Sequence, residues 1–164
     1  MRPNGTLSIS TTLANNTSEY PNTMNKHKMV ENHIYTVELR LMGDLEPSEI
    51  SARLNLQPSN SLSLFESQSL KTRRSPFWAY NGQGEVGFQT EWENLEDGLE
   101  FLLKKLSSRK AEVVYLSKQF DGVWWCGHFQ SSFSGGPILS SKLLMEIGSF
   151  GIPLSIDNYF SDDI

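Results

Sequence analysis

Cysteine is nearly absent: Cys126 stands alone in 164 residues, so no internal disulfide can staple the chain. Long apolar runs are missing too, and none approaches the roughly 18 residues that a bilayer-spanning helix requires. Positive charge is scarce, with 14 Lys plus Arg against 19 Asp plus Glu and a formal net charge of -5. A protein held mainly by phosphates carries the opposite balance, so nucleic acid and membrane are both set aside as partners. The chain also lacks a nucleotide-binding loop and a full set of metal ligands, which implies no cofactor and no metal. What is present is 38% hydrophobic and 11% aromatic residues, enough for one buried core in a chain of this length.

The first 31 residues are rich in Asn, Thr and Ser and poor in large apolar side chains. Too little area can be buried there to offset backbone ordering, which costs roughly 1–2 kcal/mol per residue, and the stretch reads as a disordered tail. Residues 32–164 read as a single α+β domain. The tail lacks the apolar centre of roughly 7 to 15 residues found in secretory signals, so a cytoplasmic location is expected. Met24 and Met29 precede the body and are alternative translation starts. The Asn-x-Ser/Thr matches at Asn4, Asn15 and Asn16 are what an Asn/Thr-rich composition produces by chance.

In the body, Tyr35, Val37, Leu39 and Leu41 alternate with Thr36, Glu38 and Arg40, the period of a strand with one buried face. Pro47 suits a first helical position, and Ile50 with Leu54 gives the following short helix its core-facing side. Residues 57–74 are Ser-rich and nonperiodic and read as a long surface loop, followed by a short strand at Phe77–Tyr80. Asn94 caps a helix whose Leu95, Leu99, Leu102, Leu103 and Leu106 form one stripe. Runs at 112–118 and 123–130 are β-branched and aromatic, and Asp121-Gly122 between them reads as the turn of an antiparallel hairpin. Ser140 or Ser141 caps a last helix through Ile147, and 153–159 gives the final strand. With the first helix and the Trp78 strand as an insertion, the order is βαββαβ. That order predicts a ferredoxin-like antiparallel sheet with helices on one face.

The strand ending at Gly43, the segment Leu45-Glu-Pro-Ser-Glu-Ile50, the segment Leu54-Asn-Leu-Gln-Pro58 and the basic stretch leading to Trp78-Ala-Tyr80 before a leucine-rich helix together resemble the bacterial domain of unknown function 4279 family. The resemblance covers about residues 34–159. Where that family carries a Gly before the basic stretch, Leu64-Phe-Glu-Ser67 stands here. The resemblance implies a compact bacterial cytoplasmic domain without an established activity, and it transfers no catalytic residue.

Cys126 and His128 lie two apart on a predicted strand and share a face, the raw material of a nucleophilic or metal site. Neither an orienting acid nor further ligands accompany them, so no catalytic residue is assigned. If Val123, Trp125 and Phe129 face the helices, then Trp124, Cys126 and His128 line the opposite face with Glu38, Arg40, Asp157 and Tyr159. Trp78 lies beside the cluster Lys71-Thr-Arg-Arg74, where Arg73 and Arg74 are candidate anion contacts. Gly135-Gly-Pro137 reads as a hinge, and the acidic residues from Glu91 to Glu100 as a hydrated helix start. An aromatic and charged sheet face without a complete catalytic set predicts a protein-binding, inhibitor-like or immunity-like module. The alternative is a small-molecule sensor or minor enzyme using the same face.

Overall fold

The structure, a computed structural model, describes residues 33–69 and 75–160. Its centre is β1 (His33–Met42), where the alternation of the sequence becomes alternating burial: Tyr35, Val37, Leu39 and Leu41 are buried and their neighbours half-buried. Helix α1 (Pro47–Leu54) begins on Pro47 and buries Ile50 and Leu54. It ends at Asn55, whose left-handed conformation (φ 49°) an Asn tolerates better than most residues.

The long loop expected over 57–74 is replaced in its described part by β2 (Asn60–Leu62) and α2 (Leu64–Ser69). Ser63 and Glu66 explain the helix. The Ser63 amide and hydroxyl donate to the Glu66 carboxylate at 2.9 and 2.8 Å, while the Glu66 amide donates to the Ser63 hydroxyl oxygen at 3.2 Å. The backbone bond first, then the hydroxyl, holds the Glu66 carboxyl below its usual range. Residues 70–74 lie outside the described residues.

Strand β3 (Phe77–Tyr80) belongs to the sheet and is no insertion: it pairs antiparallel with both β1 and β2. Helix α3 (Leu95–Leu106) is capped by Asn94, which accepts the Glu96 amide at 3.0 Å, and its leucine stripe lies on β1. A 3-10 turn at Ser107–Arg109 then leads into α4 (Lys110–Gln119).

The strand expected at 112–118 is therefore a helix. Glu112 and Tyr115 share one helical face, and Arg53 of α1 meets both, pairing with Glu112 at 2.5 Å and lying 4.8 Å from the Tyr115 ring centre. Arg109 adds a further tie, donating from Nε to the Leu54 carbonyl oxygen at 2.5 Å at the end of α1. Local β-propensity loses here to contacts with α1 and to the burial of Val113 and Leu116.

Strand β4 (Asp121–Gln130) pairs along its full length with β1, antiparallel, and not with a hairpin partner. Gly122 lets α4 lie close to it, since a Cβ there would sit 2.5 Å from the Ser117 Cβ. Helix α5 (Ser141–Gly148), capped by Ser140, carries the chain back to β5 (Leu154–Phe160), which runs parallel to β4.

The sheet order is β2-β3-β1-β4-β5, a five-stranded, mostly antiparallel open sheet in a mixed α/β fold. This order replaces the ferredoxin-like one: losing the 112–118 strand leaves β4 free to sit between β1 and β5. Helices α1, α3 and α4 lie on one face, with α5 against α3, over a core centred on Leu39, Trp78, Leu99, Leu103, Leu116 and Trp124.

Candidate functional site: the uncovered sheet face

The strand register assigns every β4 side chain to a side. Trp124 is opposite Leu39, Cys126 opposite Val37 and His128 opposite Tyr35, so all three point toward the helices. Trp124 and Cys126 are fully buried and His128 is 2% exposed. The sequence expectation had the phase of β4 reversed. Val123, Trp125 and Phe129 are the outward residues, and they join Glu38, Arg40, Asp157 and Tyr159 on the side away from the helices. Trp78 also turns inward, where it is fully buried and donates its indole N–H to the Ser51 hydroxyl at 3.1 Å. Arg73 and Arg74 lie outside the described residues.

Buried hydrogen bonds make the inward position of His128 tolerable. Its Nδ1 is 2.8 Å from the Asn158 side-chain oxygen, its Nε2 is 2.9 Å from His33 Nδ1, and the Tyr35 ring stacks on it at 4.6 Å. An amide oxygen only accepts, so the network assigns the proton of neutral His128 to Nδ1 and leaves Nε2 to accept from His33. Both nitrogens are occupied, and none is left to activate Cys126.

The Cys126 thiol is itself pushed up from 9.0 to about 12, first by burial and then by the Asp157 and Glu38 charges. It is thus protonated and non-nucleophilic near neutral pH. The native state favours the neutral thiol more than the unfolded chain does. This stabilisation is complete below pH 9.0 and is lost as pH rises through the window up to about 12. Cys126→Ala is expected to flatten the alkaline limb of an unfolding-midpoint profile relative to wild type. An aromatic disulfide reagent at pH 8 should label wild type only after denaturant is added.

On the outward side, four charged or aromatic groups form a line across three strands. Arg40 donates from Nε to Glu38 and lies with its guanidinium 3.7 Å from the centre of the Trp125 ring. The Trp125 indole N–H in turn donates to Asp157 at 2.7 Å. Phe129 and Tyr159 stack beside this line at 4.9 Å. Toward β3 a pocket of about 470 Å3 opens, lined by Glu38, Arg40, Met42, Asn60, Ser75 and Phe77. A larger groove of about 990 Å3 runs along α1 and α2, lined largely by Ser, Pro and amide side chains.

Glu38, Arg40, Asp157 and Tyr159 lie on the outward face as expected from the sequence, whereas Trp125 and Phe129, expected to face the helices, join them there. A usable signal was the pairing of β4 with β1, which would have tied the parity of β4 to the clear alternation of His33–Met42. Among the described residues no three His, Cys, Asp or Glu side chains gather as a metal-binding group, and no helix is long and apolar enough to cross a membrane.

Fold and site together define a mixed α/β protein with one helix-covered sheet face and one aromatic, charged face that no described helix covers. The chain belongs to the domain of unknown function family DUF4279, whose model matches residues 32–161. No curated protein and no solved structure matches it.

Proposed function

We propose that residues 32–164 act as one non-catalytic protein-binding module in the cytoplasm, an inhibitor-like or immunity-like domain that docks through the uncovered sheet face. The observation that carries this reading is the line Glu38, Arg40, Trp125 and Asp157 across β1, β4 and β5. Trp and Arg are the residues on which binding energy concentrates. Here each is already held by a neighbour on a paired strand, so docking costs less side-chain entropy than it would with free rotamers.

The Phe129–Tyr159 stack widens the apolar part of the surface. The net charge of -5 favours approach by a basic partner. Groups that could have supported nucleophilic chemistry are taken up by the fold, Cys126 by burial and His128 by its two hydrogen bonds. A lone, buried, unpaired thiol suits a reducing compartment.

The test is affinity capture from host lysate with tagged wild type, Trp125→Ala and, as a distant surface control on α5, Met145→Ala. A protein retained by wild type and by the α5 control, and lost with Trp125→Ala, is the expected result. Equal retention by all three variants, or by none, would sink the reading.

A further inference from the structure

Glu38 and Arg40, which the protein-docking reading also uses, line a pocket beside β3 together with apolar walls that the reading leaves unused. Glu38, Arg40 and Met42 are consecutive outward residues of β1, Asn60 and Phe77 face them from β2 and β3, and Ser75 closes one side. Arg40 spends Nε on Glu38 and one guanidinium face on Trp125, while its two terminal nitrogens have no hydrogen-bond partner among the described residues. The same holds for the second carboxylate oxygen of Glu38. The Arg40 and Glu38 side chains are 30% and 16% exposed, so both are partly buried in the sheet face.

This arrangement selects against simple ligands. An isolated anion meets the Glu38 carboxylate, an isolated cation meets the Arg40 guanidinium, and a purely apolar molecule would strip water from both without replacing its hydrogen bonds. A molecule carrying both charges on neighbouring atoms satisfies both. From these observations we infer that the pocket is a receptor site for a free α-amino acid with an apolar side chain. The ligand carboxylate takes the two terminal nitrogens of Arg40 in a forked pair, and its ammonium takes the free oxygen of Glu38. Asn60 and Ser75 supply neutral donors and acceptors, and Met42 with Phe77 receives the side chain. A volume of about 470 Å3 is within the range of small-molecule sites and accommodates residues of leucine to phenylalanine size. The inference rests on the uncovered face, and it does not require a protein partner.

The experiment is a titration of the 15N-labelled full chain with L-leucine, L-methionine and L-phenylalanine, followed at the Trp125 indole N–H resonance, which Trp125→Phe assigns. At least one of the three is expected to give a saturable shift with a Kd on the order of 1 mM or tighter. N-acetyl-L-leucine, which lacks the ammonium, and L-leucinamide, which lacks the carboxylate, should each bind at least about tenfold more weakly than the free amino acid.

Arg40→Gln and Glu38→Gln should each weaken binding by a similar factor, with Arg40→Lys between them and wild type. Should either Gln variant unfold, Asn60→Trp on the exposed rim fills the pocket without touching the ion pair, and it too should abolish the shift. Absence of a saturable shift with all three amino acids, equal binding of the blocked compounds, or unchanged binding by Asn60→Trp would each overturn the inference. Loss of partner capture with Trp125→Ala would still stand if this titration failed, and the titration would stand if capture failed.

Discussion

Trp124→Ala is expected to cost about 3–5 kcal/mol of folding stability, a large part of the roughly 5–15 kcal/mol that holds a typical domain. Trp125→Ala, one residue on, is expected to cost about 1 kcal/mol or less. The two side chains differ in what surrounds them. Trp124 is fully buried, packs edge-on against Phe150 with ring centres 5.4 Å apart, and stands between Leu39 and Leu154 in the paired strands. Removing it leaves a cavity the size of an indole beneath the helices. Trp125, half-buried on the outer side, loses a stacked guanidinium, one exposed hydrogen bond to Asp157 and a smaller share of apolar contact.

Because the Trp124 indole nitrogen has no hydrogen-bond partner among the described residues, its stabilisation is packing alone, and Trp124→Phe should be far milder than Trp124→Ala. Urea unfolding followed by circular dichroism measures all three. If Trp125→Ala proved the more destabilising of the two alanine changes, the inner and outer sides of β4 would be exchanged and the site described above would vanish.

Tyr115→Pro is expected to cost about 3 kcal/mol or more, whereas Tyr115→Ala should stay within about 0.5 kcal/mol of wild type. Tyr115 lies inside α4, where proline removes a helical hydrogen bond and clashes with the preceding turn, yet the side chain is 49% exposed. The contrast between the two substitutions isolates the backbone. Its interactions with Arg53 and with Gln119 at 3.2 Å are surface contacts of small worth. Equal, small effects from both would mean that residues 112–118 are not helical.

Elements whose side chains repeat at one clear period were legible in the sequence. The alternation from Tyr35 to Leu41 marked the central strand, the leucine stripe after Asn94 marked α3, and Pro47 and Ser140 marked helix starts that the structure retains. Where the reading failed, local and long-range signals disagree. Glu112–Lys118 has the composition of a strand and becomes a helix because Arg53 and the core beneath Val113 and Leu116 are supplied by distant parts of the chain. The segment before Ser69 looked featureless by hydrophobic period, but Ser63 and Glu66 stood at capping-box spacing.

The uncovered face was half legible. Glu38, Arg40, Asp157 and Tyr159 were placed with it, while β4 offers two nearly equivalent sets of alternate residues, Trp124 with His128 or Trp125 with Phe129. Polarity pointed His128 outward. The side chains of Asn158 and His33, which occupy both its nitrogens, make the inward position of this polar ring tolerable, and sequence spacing does not reveal that partnership.

Strand β1 is the earliest described strand in the chain and the middle one in space, and the residue that bonds its His33 side chain, His128, follows 95 positions later. During synthesis, then, the nascent polypeptide carries a sticky ribbon whose second neighbour has not yet been translated. A ribosome paused between Tyr80 and Asp121 would hold β1 paired with β3 on one side and bare on the other, a template for unwanted association. Premature termination in that interval should therefore yield aggregates in place of shortened soluble fragments.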